Sequence, residues 1–368
     1  MKKIALLILS SLFILGINAQ VTVDNTSQSV EQWVQNVLAG PGVVISNVTF
    51  NGSAAAAAIP NEQIGSFTDG SSDVGLSNGI ILGSGDVTMA TQLNTGGGSN
   101  LGGSGNQGVD LDLAAITTSD IWDECVIEFD FVPQGDTISF NYVFASEEYE
   151  ENACGSVNDA FGFFISGPNP DGGNYNAKNI ALVPDPLNPN TFTTTPVSIN
   201  TINQGTSGTT NIFDETPCAD VDPNWDSYSQ FYTPNNVNTY EYDGRTVVLQ
   251  AVAHVNCDDT YHIKLAIGDG GDGVFDSGVF LEAYSFSSSP AIAIDFSTPT
   301  VGGDSIIIEG CTDAVLNLTR TDATSDTTIH FVIGGTATMD GPGVLNPDYL
   351  EIADSVTFLA GEGRPLNA

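Results

Sequence analysis

Positive charge is nearly missing from this chain. Seven Lys and Arg residues stand against 45 Asp and Glu in 368 residues, a formal net charge of −38. Two of the seven, Lys2 and Lys3, fall within the first 20 residues. Such a field repels phosphate backbones and excludes nucleic acid as a partner. It disfavours docking on anionic lipid, attracts divalent cations, and also keeps an exported protein soluble. Catalytic motifs are missing too. The three histidines, His254, His262 and His330, occur without HExxH, and there is no nucleophile elbow, P-loop or dinucleotide fingerprint. His254 and His262 fall in expected strands and read as structural. None of the five cysteines has C-x-x-C or other metal-ligand spacing, which argues against zinc.

Long apolar runs are confined to the start. Lys2 and Lys3 form a basic region, Ile4–Ile17 an apolar core, and Asn18-Ala19-Gln20 a cleavage neighbourhood, which together read as a secretory signal over residues 1–20. No cysteine follows the core, so no lipoprotein anchor is expected. No later run approaches the ~20 apolar residues of a spanning helix, so no direct membrane insertion is expected either. In an exported protein disulfides persist. Cys125, Cys154, Cys218 and Cys257 allow three pairings; Cys154–Cys218 is the expected one, with Cys125 a buried thiol inside a strand.

The pattern beyond the leader is strands and turns. Ser29-Val-Glu-Gln32 has the form of a capping box, and Val30, Trp33, Val34, Val37 and Leu38 repeat at helical spacing until Gly40-Pro41 stops them. That helix is expected to cover a core with its apolar stripe. Strands are expected over Val43–Phe50, Gly79–Leu82, Val126–Val132, Thr137–Ala145, Ala160–Ile165, Asn179–Val183, Thr246–Val255, Tyr261–Ile267 and Gly278–Phe286. The expected fold is all-β: an antiparallel β-sandwich, jelly-roll-like, with one N-terminal helix over residues 21–288, then a partial immunoglobulin-like sandwich over 289–368. The run 94–108, NTGGGSNLGGSGNQG, is too rich in glycine to bury apolar surface and reads as a loop. Residues 201–240 mix Asn, Thr and Asp with Trp225, Tyr228, Phe231, Tyr232 and Tyr240. These aromatics either stack on a sugar or pin a long loop to the sheet.

Two acidic loops carry the chemistry. Residues 137–167, TISFNYVFASEEYEENACGSVNDAFGFFISG, run strand, acidic loop, strand. The loop holds Glu147, Glu148, Glu150, Glu151, Asn158 and Asp159. Residues 260–286 repeat the plan, with Asp269, Asp272 and Asp276 among glycines that let the backbone turn its carbonyls inward. Oxygen donors between apolar strands suit Ca²⁺, which takes six to eight oxygen ligands in a forgiving geometry. The expected ligands are Glu147, Glu148, Asn158, Asp159, Asp269, Asp272 and Asp276; the alternative is a solvated acidic surface. A glycosidase pairing Glu148 with Asp159 or Asp272 is a further alternative, although clustered carboxylates share a cation more readily than they divide acid and base roles.

F-A-S-E-E-Y at 144–149, N-D-A-F-G-F-F-I-S-G at 158–167, N-I-A-L-V at 179–183, P-V-S-I-N at 196–200, H-I-K-L-A-I at 262–267 and D-G-G-D-G-V-F-D-S-G-V-F-L-E at 269–282 are a specific set. Together with V-E-Q-W-V-Q-N-V-L-A-G-P-G-V at 30–43 and N-V-T-F-N-G at 47–52, they resemble the choice-of-anchor L domain of secreted Bacteroidetes-type surface proteins, over about residues 28–288. Ser66, Cys125 and an insertion over about 204–235 depart from that pattern. The resemblance implies export and surface display and implies no reaction. I-I-I-E-G-C at 306–311, A-V-L-N-L-T-R at 314–320, F-V-I-G-G-T-A-T at 331–338, P-D-Y-L at 347–350 and S-V-T-F-L-A-G-E at 355–362 are similar to a Calx-beta domain, incomplete at Ala368. The reading is therefore a secreted, surface-displayed, non-catalytic module, calcium-stabilised and adhesive or structural, attached through a C-terminal region beyond Ala368. Its partners are calcium and either surface glycans or other extracellular proteins. The runner-up is a carbohydrate-binding domain built on the 201–240 aromatics.

Overall fold

The computed structural model describes residues 20–55, 62–70, 73–94, 107–117 and 119–288, and five short strands beyond them. The chain divides into two compact units, one of residues 1–133 and 137–288, the other of 134–136 and 289–368.

The first unit is mostly β with a few short helices. Its strands are β1 (Val21–Asp24), β2 (Val43–Phe50), β3 (Ser53–Ala54), β4 (Ile64–Asp69), β5 (Asn78–Gly83), β6 (Ile121–Pro133), β7 (Thr137–Ser146), β8 (Ala160–Pro168) and β9 (Asn174–Asn179). They continue with β10 (Leu182–Asp185), β11 (Asn188–Pro196), β12 (Tyr232–Pro234), β13 (Gly244–Thr246), β14 (Leu249–His254), β15 (Tyr261–Gly270), β16 (Ser277–Glu282) and β17 (Ser287–Ser288). One antiparallel sheet runs β1-β4-β5-β16-β7-β13-β12, with β14 and β17 also on β7; a second runs β3-β2-β6-β15-β8-β9. The hairpin β10–β11 stands apart.

Strand alternation builds the core. Phe140, Tyr142 and Phe144 of β7 face Phe161 and Phe163 of β8, which lies in the other sheet, with ring centroids 4.8–5.4 Å apart for the Phe140–Phe163, Tyr142–Phe163, Tyr142–Phe161 and Phe144–Phe161 pairs. Ile127, Phe129 and Phe131 of β6 and Ile263, Leu265 and Ile267 of β15 join the same core. The alternate residues of β7, Val143 and Ala145, point the other way, into a second cluster with Phe67, Tyr242 and Phe280. A row of aromatics on one face of β7 therefore joins the two sheets, and burying each such ring contributes about 1.5–3 kcal/mol.

The expected helix begins at its capping box: Ser29 Oγ accepts from Gln32 N, and Gln32 Oε1 accepts from Ser29 N. It is α-helical only over Val30–Trp33 (α1) and widens into a π-helix over Val34–Leu38; Val30, Trp33, Val34 and Leu38 are all buried. Two expected strands are displaced. Asn179–Val183 is no strand, because Asn179 Oδ1 accepts from both Phe163 N and Ala181 N. That side chain occupies the ladder's donors, so β9 ends at Asn179 and β10 starts at Leu182. Thr246–Val255 is split into β13 and β14 by a one-residue shift in register against β7, between Arg245 opposite Ala145 and Leu249 opposite Tyr142. The sequence pattern also missed β1, β3, β4, β11, β12, β17 and all of β9 before Asn179.

In the second unit the described strands are Ile292–Ser297, Val315–Arg320, Thr327–His330, Ser355–Phe358 and Leu366–Asn367, all antiparallel where paired. The motifs at 306–311, 331–338 and 347–350 lie outside the described residues, as does most of the 94–108 run. Among the described residues no helix is long and apolar enough to cross a membrane.

Candidate functional site

Strand ends bring the two acidic loops together. β7 stops at Ser146, directly opposite Ser277 at the start of β16, and Glu147 N donates to Asp276 O at 3.2 Å. Asn158 N donates to Gly270 O at 2.7 Å, and Asp159 Oδ1 accepts from Gly270 N at 2.9 Å. Asp159 Oδ2 accepts from Ser277 Oγ at 2.6 Å. Five carboxylates gathered here are almost fully buried: Glu147, Glu148, Asp159 and Asp269 are 1 % exposed and Asp276 2 %.

The side chains sort by face. Ser277 meets Asp159, so its chain neighbour Asp276 points to the opposite side of β16. Gly278, two residues after Asp276 along the strand, confirms that face: a Cβ there would lie 2.5 Å from Tyr242 Oη. Glu147 follows Val143 and Ala145 onto this side. Asp269 follows a register shift in β15, and the strongest charge acting on it is that of Asp159, the acid on the Ser277 side. The expected ligands therefore converge at one end of the molecule, but on two sides of the β7–β16 ladder.

Asp269 is the anomaly. Neither of its oxygens has a hydrogen-bond partner of normal geometry. Ser84 is close enough to favour its charged form, yet the Ser84 hydroxyl donates to Ser277 O at 3.4 Å. Burial, then the charge of Asp159, then those of Asp276 and Asp123, push the Asp269 carboxyl well above the usual range. Burial, opposed by the Ser277 and Gly270 hydrogen bonds, pushes Asp159 up to about 7. Glu148 rises to about 9, through burial and the Asp159 charge, although Asn152 Nδ2 donates to its Oε2. No described Lys or Arg of the unit is spent here. Lys264 pairs with Asp110 and Asp112, Arg245 donates to Asp73 O and Thr246 O, and Lys178 lies over the Tyr175 ring.

Two expected ligands stand differently from the rest. Asp272 is exposed at the rim and accepts from Val274 N at 3.1 Å. Asn158 is buried, but its Oδ1 already accepts from Asn200 N at 2.8 Å. Sequence reasoning missed Asp123, which is buried, has a positive φ of 49°, and sits against Gly273 of the second loop. Its signal was only an acid beside Glu124, ahead of the expected strand Val126–Val132. As the side chains stand, no group of three or more His, Cys, Asp or Glu among the described residues is close enough to hold a metal ion. A cation would have to draw the carboxylates inward.

Gly270 is where the loops touch, since a Cβ on it would lie 2.1 Å from Asn158 O. Gly270→Ala is expected to push the loops apart and lower stability by about 1–3 kcal/mol, as overpacking does. A denaturant midpoint equal to wild type would contradict this contact.

The insertion is pinned as well. Cys154 and Cys218 form a disulfide, Cys218 lying on α3, the third short helix (Thr216–Val221), after α2 (Leu111–Ala114). Cys125 is a buried free thiol and Cys257 an exposed one. Trp225, Tyr228, Phe231 and Tyr240 are buried, so they pin the loop and offer no stacking platform. Tyr232, half-buried, packs against Tyr149 and donates to Glu150 Oε1 at 3.1 Å. His262 is structural, held between Asp130 at 2.8 Å and Glu128 at 3.0 Å.

Among known proteins, the family model of the choice-of-anchor L domain matches residues 22–287. No curated protein and no solved structure matches the chain.

Proposed function

The chain belongs to the choice-of-anchor L domain family, and on that premise we propose that residues 21–288 form a calcium-stabilised, non-catalytic module of a secreted, surface-displayed protein. Its role is adhesive or structural. The family association and the disulfide both support an extracellular setting. The observation that carries the ion is Asp269, a buried carboxylate with two orphaned oxygens facing other carboxylates and, among the described residues, no cationic side chain. An isolated buried charge costs far more than a fold can spare unless it is paired or ligates a metal.

The donor set favours a hard metal ion. Oxygen donors without nearby thiol or imidazole suit a hard cation, and a flexible shell of six to eight oxygens suits Ca²⁺ over Mg²⁺. Asp269, Asp159 and Glu148 would hold it from the inner side, and the exposed Asp272 would close it from the rim. Glu147 and Asp276 flank it across the ladder. The raised carboxyl of Glu148 is the one feature that suits a glycosidase acid, but Glu148 and Asp159 are both buried away from any substrate. Burial of the 201–240 aromatics removes the main support for a carbohydrate site there.

The test is a thermal melt in EDTA against millimolar calcium, for wild type and Asp269→Asn. An ion bound only by the folded state adds about 2.7 kcal/mol at a hundredfold excess over Kd. Wild type is expected to shift upward. Asp269→Asn is expected to lose the shift and, in EDTA, to melt at or above wild type, because it removes a buried charge. An unchanged wild-type midpoint would sink the reading.

A further inference from the structure

The insertion carries a turn whose sequence conflicts with its backbone. Asp214 N donates to Asn211 O at 2.9 Å, closing a four-residue turn around Ile212 and Phe213. Ile212 has φ −50° and ψ 122°, and Phe213 has φ 69°, the pattern of a type II turn. Sterics favour glycine at the second central position, because a Cβ in the left-handed region is strained. A phenylalanine sits there instead, 95 % exposed, beside an isoleucine 60 % exposed. Neither side chain repays the strain by packing within the chain. Strain held without local return marks positions kept for contacts outside the fold.

The turn is held firmly on both sides. Thr210 Oγ1 donates to Glu151 O and Asn152 Oδ1, Thr210 N to Glu151 O, and Gly208 N to Ala153 O. After the turn, Thr216 N donates to Asp214 Oδ1, and two residues later Cys218 is bonded to Cys154. The pair of apolar side chains is therefore presented from a rigid base, which lowers the ordering cost of binding.

Its surroundings define the partner. Asp214 and Glu215 follow the turn directly and are exposed, as is Asp220 on α3; Glu150 and Glu151 belong to the loop that clasps it. The described cations of the unit are engaged elsewhere, as set out above, so this negative rim has no internal counter-charge. We infer that the Asn211–Asp214 turn is a docking finger for a basic protein segment bearing an apolar pocket: Phe213 and Ile212 supply the anchor and the acidic rim supplies the charge complement. The finger stands on different residues from the ion site and does not depend on it.

The experiment measures binding of the mature full chain to two labelled synthetic peptides, one alternating leucine and lysine, the other alternating glycine and lysine, by fluorescence anisotropy at physiological salt. Wild type is expected to bind the leucine-lysine peptide more tightly. Phe213→Gly is expected to weaken that peptide about tenfold or more and to leave the glycine-lysine peptide unchanged. Because glycine relieves the turn, the same variant is expected to melt no lower than wild type, which separates lost contact from lost fold. Asp214→Lys with Glu215→Lys is expected to weaken both peptides. Equal leucine-lysine binding by Phe213→Gly overturns the finger, as does no binding by wild type. Phe213-dependent partition into phosphatidylcholine vesicles, without peptide binding, assigns the turn to lipid and overturns it too.

Discussion

Stripped of divalent ions, the 21–288 domain is expected to melt at a higher temperature near about pH 5.5 than near about pH 8, the reverse of ordinary acid denaturation. Acid usually unfolds proteins because native carboxylates are paired and resist protonation. Here burial and neighbouring carboxylates outweigh the few hydrogen bonds, and Glu148, Asp159 and Asp269 all have raised folded-state pKa values, with Glu148 at about 9 and Asp159 at about 7. Below the unfolded pKa of about 4 both states are protonated and the groups contribute nothing. Between that value and the folded pKa the native state binds more protons, so stability falls as pH rises through the window. Each proton held only by the native state corresponds to about 1.4 kcal/mol per pH unit. For a domain of this size that is a few degrees per unit. On the proposed calcium reading the dependence is expected to invert, because ligating carboxylates must be deprotonated and the ion's stabilisation then grows with pH. An EDTA melting temperature that is flat from about pH 5 to 8 would mean that these carboxylates do not share one buried site.

Both acidic loops were legible because strand alternation on either side framed them, as in Ile138, Phe140, Tyr142 and Phe144. The strand end at Ser146 was also readable, since an acidic run cannot continue a buried ladder. What could not be read was the sidedness. Whether Glu147 and Asp276 share an ion with Asp159 depends on which face Ser277 takes, and only the β7–β16 register decides that. Asp123 was invisible for a related reason: the register shift between Ile267 and Asp269 brings the start of β6 against the second loop. The displaced strands have a local cause in Asn179, whose side chain takes two backbone N–H groups. The choice between sugar platform and pinned loop for the aromatics rested on burial, which composition does not encode.

Cys154→Ser combined with Cys218→Ser is expected to produce the largest single loss of stability. The bridge spans a sequence separation of 64 residues, and chain entropy for a loop of that length corresponds to about 4 kcal/mol. In a domain of this size the melting temperature should fall on the order of 10 °C. The loss should also reach the ion, because the bridge ties the Glu147–Asp159 loop to the insertion near Asn200, whose N–H orients Asn158 and whose side chain donates to Gly155 O at 3.0 Å. Released from Cys218, that loop loses its covalent tether, so on the proposed reading part of calcium's binding free energy is spent on ordering it and the apparent affinity is expected to drop. Cys257→Ser is the control, being exposed and unbridged, and should leave both melting temperature and calcium response at wild-type values. A double variant that melts within about a degree of wild type would show that the hydrogen bonds from Gly208 and Thr210 hold the insertion without the bridge.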